Sequence, residues 1–319
     1  SQEGSVDINT DGTIKFTPTA NFNGDATITY TVSDGSDTSS SSANITVNPT
    51  ITLGGNSLDG PLLNALVFFD ANNNDVLDEG EIYDITGADG SYSLEGVLSA
   101  DLATGTLVSR SITAEDTFKG STLEDGSRIL TIDQVSGAIM DNLIMRSTSG
   151  STIISPFTTL LKEGIENDEL LEIFGLEIGS IDIENYNPFD DENRNADGTM
   201  TVEAVEFEKV VTKLYTSVND KAILDSNEIY SIVLDELIDS VKLEVEIRNK
   251  NKDIQNEIEV LDSEISELTG TDKQIKIEEQ VVKSAEISGE REFNFTDAEL
   301  LKAITINTAE KADALAQEY

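Results

Sequence analysis

Apolar and polar residues alternate at Ser5–Asn9, Thr13–Thr17, Asp25–Ser33 and Ala43–Asn48. This is the signature of strands with one buried face. Asp11-Gly12, Asn23-Gly24 and Asp34-Gly35 separate these runs as turns. Ser39 to Ser42 reads as a flexible loop tip. A second β unit is predicted from residue 50 to about 100. It has strands over Pro61–Asp70, Glu81–Thr86 and Ser91–Leu94, the last two flanking the turn Gly87-Ala88-Asp89-Gly90. Between 100 and 150 the pattern is mixed: Arg128–Asp133 reads as a strand, and Ser136–Met145 as a strand or a short helix.

From Ile153 the period changes. Ser155 caps a predicted helix, Pro156 takes its first position, and Leu160 and Leu161 face a core. Glu166–Phe174 continues as helix and Gly175 stops it. Val202, Val205, Val210, Val211 and Leu214 then fall at helical spacing. Ser226 to Leu268 is a long helical pattern. Ile254, Ile258, Leu261, Ile265 and Leu268 run at the alternating four-three spacing of a coiled-coil seam. Leu234, Ile238, Val241 and Val245 keep that spacing in another register, so the break between 245 and 254 implies a stutter or a change of partner. Gly270 ends this helix, Asp272–Ser288 is another ended by Gly289, and Thr296-Asp297-Ala298-Glu299 is a capping box opening a last helix to Tyr319. Two readings of this region stand side by side: an antiparallel hairpin packing on itself, or a surface for assembly between chains.

The densest chemistry lies at residues 70–81, Asp-Ala-Asn-Asn-Asn-Asp-Val-Leu-Asp-Glu-Gly-Glu. Asp70, Asn72, Asn74, Asp78 and Glu81 occupy positions 1, 3, 5, 9 and 12 of an EF-hand-type calcium loop, and Val76 would offer its carbonyl at position 7. A hard cation of this size takes about 6–8 oxygens, and a curled loop turns every second side chain toward its centre. Leu77 would anchor the loop on the core. Asp75 stands where position 6 usually has glycine, and Asp tolerates the left-handed backbone needed there. The alternative is a polar surface turn that holds no ion. Asp191, Asn193, Asn195 and Asp197, before Gly198, form a second oxygen-rich loop. It has no glutamate to close a shell, so calcium and a solvated turn both remain open.

Composition narrows the partners. The chain of 319 residues has room for two or three domains and carries 62 acidic and 20 basic residues, a net charge of −42. Such charge repels nucleic acid and anionic membranes and favours a saline, calcium-rich setting that screens it. Residues 1–199 hold 34 acids and 7 bases, and residues 200–319 hold 28 and 13, the mixture expected of solvated helices. Without cysteine or histidine, thiol and Ser-His nucleophiles and ordinary zinc sites are excluded. No apolar run is long enough to span a membrane. No leader stands at Ser1, as expected of a mature or trimmed form if the protein is exported.

Three resemblances organise these observations. Asp11-Gly12-Thr13-Ile14, Phe16-Thr17-Pro18, Asn21-Phe22-Asn23-Gly24 and Tyr30-Thr31-Val32-Ser33-Asp34-Gly35 resemble, in that order, the cadherin-like repeats of very large bacterial surface proteins. A sandwich of that type has about seven strands, and four are predicted over 1–49. The remainder is either cut away or supplied by a neighbouring subunit. The run Gly60 to Asp70, the loop, and Asp89-Gly90-Ser91-Tyr92-Ser93-Leu94 resemble the prealbumin-like, Sdr-type B units of bacterial surface proteins. That family places its calcium loop between strands and commonly has glycine at loop positions 4 and 6, where this chain has Asn73 and Asp75. Ser155-Pro156-Phe157-Thr158-Thr159-Leu160 and Asn187-Pro188-Phe189-Asp190 resemble a segment that often follows such units.

The expected fold is multidomain α+β. A partial cadherin-like, immunoglobulin-like sandwich spans 1–49, a prealbumin-like β domain with the calcium loop spans 50–150, and a helical, coiled-coil-like domain spans 151–319. The resemblances imply a non-enzymatic, calcium-stabilised structural or adhesive module at the bacterial cell surface, self-assembling or joined to neighbouring repeats. No phosphate loop, nucleophile elbow or metal-hydrolase motif is present. The alternative is an accessory part of a secreted glycan-active enzyme, disfavoured by the absence of tryptophan. A calcium buffer would need more than one good loop.

Overall fold

The computed structural model describes residues 3–289 except 142, 178, 180 and 225–229, and the side chains of these except within 215–236. The architecture is α+β: short sheets fill the N-terminal side and helices the C-terminal side. The capping box predicted at Thr296–Glu299 lies outside the described residues.

β1 (Gly4–Ile8) and β2 (Ile14–Pro18) form one antiparallel hairpin, and β3 (Gly24–Ser33) and β4 (Thr38–Val47) another. The turns fold for local reasons. Asp11 Oδ1 accepts from the Thr13 N–H and hydroxyl, and Asp34 Oδ1 from the Ser36 and Asp37 N–H groups. Gly12 and Gly35 supply the positive φ beside them. Ser39–Ser42 is not a loop tip but part of β4. Val32 pairs with Ser39 and Thr31 with Ser40, whose hydroxyls lie 2.8 Å apart. The ten-residue β3 thus draws a serine run into the ladder by backbone and hydroxyl bonding. Only Ala26 and Ile28 are buried here, and Ile8 (77 %) and Val32 (58 %) stay exposed.

The second β unit contains β5 (Thr50–Ser57), β6 (Leu62–Leu63), β7 (Leu66–Asp70), β8 (Tyr83–Ile85), β9 (Ser91–Leu98), β10 (Thr106–Arg110), β11 (Ile132–Asp133), β12 (Ile144–Thr148) and β13 (Ile153–Ile154). A four-stranded sheet runs β12-β10-β7-β8 and a three-stranded one β13-β5-β9, with β11-β6 as a short pair. The strand expected over Pro61–Asp70 is split at Asn64 (φ 59°), so β6 pairs with β11 and β7 with β10 and β8. β7 is buried on both faces: Leu66 and Phe68 join Val108 and Ile112, while Val67 and Phe69 face the larger core. That explains its unbroken apolar run. Arg128–Asp133 is strand only at Ile132–Asp133. Residues 136–141 and 143 are neither strand nor helix: Asp133 takes the Val135 and Ser136 N–H groups into a turn, and the next strand waits until Ile144.

α1 (Pro156–Lys162) starts as its residues dictate, with Ser155 as N-cap in a reciprocal capping box with Thr158. α2 (Asn167–Ile173) follows, then a 3₁₀ turn at Asp191–Asn193, α3 (Val202–Leu224), α4 (Tyr230–Glu267) and α5 (Gly270–Ser284). Phe157 packs on Phe174 and Phe207, with ring centroids 5.1 and 5.3 Å away. Around them one core continues from Leu62 through Leu107 and Leu170 to Val241. The boundary expected at 150/151 therefore falls inside a packed unit.

The phase break in α4 is a change of partner. Ile238 and Val241 are buried in the main core, with Val245 packed against it. Ile254 and Leu261 are buried where α5 folds back antiparallel, bound by Lys276–Glu264 (2.9 Å) and Lys283–Glu257 (2.7 Å). Gly270 (φ 67°) opens α5 rather than closing α4's run, and α5 stops at Ser284, four residues before the predicted end.

Candidate metal centre

The loop 70–81 leaves the buried end of β7 and returns toward β8. Asp70 is fully buried. Its Oδ1 accepts the N–H groups of Asn72 (3.2 Å) and Asn73 (2.6 Å), and its Oδ2 that of Asp75 (2.7 Å). Three backbone donors thus curl the chain around one carboxylate. Asn73 (φ 59°) and Asp75 (φ 62°) adopt the left-handed conformation, the two positions where the resembling family commonly has glycine. Asn and Asp are the side-chain-bearing residues that adopt it most readily.

At the far end Glu81 clamps the loop from both sides. Its Oε1 accepts from Ala71 N–H and its Oε2 from Asp78 N–H, each at 2.9 Å. The amide nitrogens of Asn72 and Asn74 converge on Asp78 Oδ2 at 2.7 and 2.8 Å. Asn74 Oδ1 accepts from Val76 N–H, Val76 is exposed, and Leu77 packs against the cluster of Leu66, Phe68, Val108 and Ile112. The six sequence-predicted positions are therefore brought into one closed loop.

Does this set suit calcium? The donors are all oxygens or can present one, as a hard cation requires. Five carboxylates lie within 70–81 and no base. Arg146 of β12 pairs with one of them, Asp75. The neutral side-chain amides of Asn72 and Asn74 meanwhile donate hydrogen bonds to Asp78. The donor chemistry fits. Among the described residues, however, no three His, Cys, Asp or Glu side chains are gathered tightly enough to form a metal cluster by themselves. Asparagine and backbone oxygens would have to complete any shell.

The second loop is organised differently. Asn193 Nδ2 donates to Asn187 O, Asn195 Nδ2 to Thr199 Oγ1 and Met200 O, and Asp197 Oδ1 accepts from the Thr199 N–H and hydroxyl. Those Thr199 bonds hold the Asp197 carboxyl below its ordinary range. Burial, then Glu192 and Asp191, raise the neighbouring Asp190. Asp191, Asn195 and Asp197 are exposed. These contacts describe a small hairpin turn.

Two features were not visible in the sequence. Asp75 and Arg146 form a bidentate ion pair at 2.7 and 2.6 Å across 71 residues, and no local signal marks it. Asp59, between β5 and β6, is 2 % exposed and its Oδ1 has no hydrogen-bond partner. Burial foremost, then Asp133 and Glu208, push its carboxyl well above the ordinary value.

Comparison with known proteins bears on the N-terminal strands. A family described as a cadherin-like domain matches residues 1–48, the segment of β1 to β4. It is a non-enzymatic kind of fold. No curated protein and no solved structure matches the chain. Among the described residues, no helix is long and apolar enough to cross a membrane.

Proposed function

We propose that this chain is a non-enzymatic structural or adhesive module of a bacterial extracellular surface protein, stabilised by calcium in the loop 70–81 and associating with copies of itself or with neighbouring repeats. The cadherin-like match over residues 1–48 suggests an adhesive or structural role and a place outside the cell or on its surface. Domains of that kind typically bind calcium, but the loop lies beyond the matched segment, so it stands on its own geometry.

The observation that carries the calcium reading is the curl of the loop. A buried Asp70 collects three N–H groups, with left-handed residues at positions 4 and 6. Asp70, Asn72, Asn74, Val76, Asp78 and Glu81 would hold the ion, which would offset the negative charge gathered in the loop. A site absent from the unfolded chain turns binding energy into folding energy. Extracellular calcium modules bind at about 10⁻⁴–10⁻³ M, so about 10 mM calcium should occupy most of this site.

The test is calorimetric titration with calcium, with light scattering on the eluting protein in millimolar calcium and after chelation. We expect one saturable binding event, abolished by Asp70→Ala, and assemblies that shrink or unfold on chelation. A monomer indifferent to chelation would remove both the calcium and the assembly reading.

A further inference from the structure

The residue at loop position 6 is tied to the helices, and the tie runs through one arginine. Asp75 N–H donates to Asp70 Oδ2 at 2.7 Å, while its carboxylate takes Nε and Nη2 of Arg146 at 2.7 and 2.6 Å. The left-handed turn is thus held from inside the loop by Asp70 and from outside by a guanidinium whose side chain is only 15 % exposed. A planar, two-point pair of this sort fixes direction as well as distance.

Arg146 is in turn fixed by the start of α1. Its backbone N–H donates to Thr159 Oγ1 at 2.9 Å, and its carbonyl accepts from Thr158 Oγ1 at 2.9 Å. Thr158 is also the partner of Ser155 in the capping box. The following residues anchor the helical layer: Phe157 on Phe174 and Phe207, and Glu163 to Lys242 of α4 at 3.2 Å. An unbroken series of hydrogen bonds therefore runs from Asp70, through Asp75 and Arg146, into the first turn of α1.

We infer that Arg146 is a positioning residue that couples the state of the loop to the packing of α1 on the β unit: cation binding at 70–81 tightens residues 144–163, and a loosened α1 weakens cation binding. This rests on the calcium reading above and adds its regulation. Simple electrostatics makes the opposite prediction for Arg146. Removing a positive charge beside the loop would tighten cation binding, whereas losing the positioning contact would weaken it. Coupling between sites is reciprocal and of the order of 5- to 150-fold, so both directions are measurable.

The experiment is amide hydrogen exchange by mass spectrometry on the full chain, with millimolar calcium and with chelator, comparing the parent with Arg146→Gln. In the parent we expect calcium to slow exchange in 70–81 and also in 144–163, there by about 5-fold or more. In Arg146→Gln the loop should still respond, more weakly, while 144–163 should not. If Arg146→Gln fails to fold, Asp75→Gly keeps the left-handed backbone and removes the pair, with the same expected loss. Thr159→Val tests the reverse direction and should lower calcium affinity from outside the loop. A loop response in the parent without any at 144–163, or full transmission in the variants, overturns the coupling and leaves the calcium reading intact. Absence of any response in 70–81 of the parent overturns both.

Discussion

Replacing Asp59 by asparagine should change how stability depends on pH, and the sign follows from its surroundings. Asp59 is 2 % exposed, Oδ1 is without a hydrogen-bond partner, and the carboxyls of Asp133 and Glu208 add like charge. A water-sized cavity of about 10 Å³, lined by Asp59, Glu208, Ser155 and Phe207 among others, adjoins it. Its folded-state pKa is therefore raised well above the ordinary 3.8. Below about pH 4 the group is protonated in both the folded and the unfolded chain and costs nothing extra. As the pH rises past the unfolded value, only the unfolded chain releases the proton, so the folded state loses relative stability by about 1.4 kcal/mol per pH unit. The loss stops growing once the folded carboxyl ionises too. Other carboxyls slope the other way: Asp116, despite partial burial, is held low by Arg110 and Thr113. The measurement must therefore be a difference. Urea unfolding of the parent and Asp59→Asn, at half-unit steps from pH 4 to 7, should give a stability difference that grows in favour of the variant as the pH rises above the unfolded value, levelling off where the folded carboxyl ionises. A difference flat across that range would refute the claim that Asp59 is a strained, buried acid.

Two further outcomes follow from packing. Phe157→Ala removes a ring buried between Phe174 and Phe207 and should cost about 3–5 kcal/mol. The loss should appear as a single shift of the urea midpoint followed by both β-sheet and helix signals, because one core spans the two. Leu261→Ala, in the α4–α5 seam, should speed amide exchange over 254–284 by about tenfold or more while leaving the sheet amides unchanged. Equal acceleration in β7 and β10 would show that hairpin and core open together.

What the sequence disclosed was local. The turns at Asp11-Gly12 and Asp34-Gly35 and the cap at Ser155-Pro156 are settled by residues within three positions of one another. The break of period between Val245 and Ile254 is local too, and it marks the switch of partner along α4. The six loop positions were readable for the same reason, since a twelve-residue spacing is enough to bring them together. What escaped depends on distant partners. β10 (Thr106–Arg110) is buried on both faces yet contains Ser109 and Arg110, so it shows neither alternation nor a clean apolar run. Its neighbours β7 and β12 lie far off in sequence. The strain at Asp59 and the pair Asp75–Arg146 arise from the same long-range closure. The serine run in β4 has low intrinsic strand signal and is strand because β3 offers ten residues of partner.

The two seams of α4 lie on nearly opposite sides of one helix, since the nine residues from Val245 to Ile254 make about two and a half turns. No glycine or proline interrupts Tyr230–Glu267. The stretch from Val245 to Glu267 therefore projects about 33 Å as a continuous rod, gripped by the core at one end and doubled by α5 along the other. A load applied at the tip would reach the sheets as torque on Ile238, Val241 and the Arg248–Glu172 contact (3.5 Å), with no hinge along the way to absorb it. The hairpin is built as a lever whose fulcrum is the hydrophobic core.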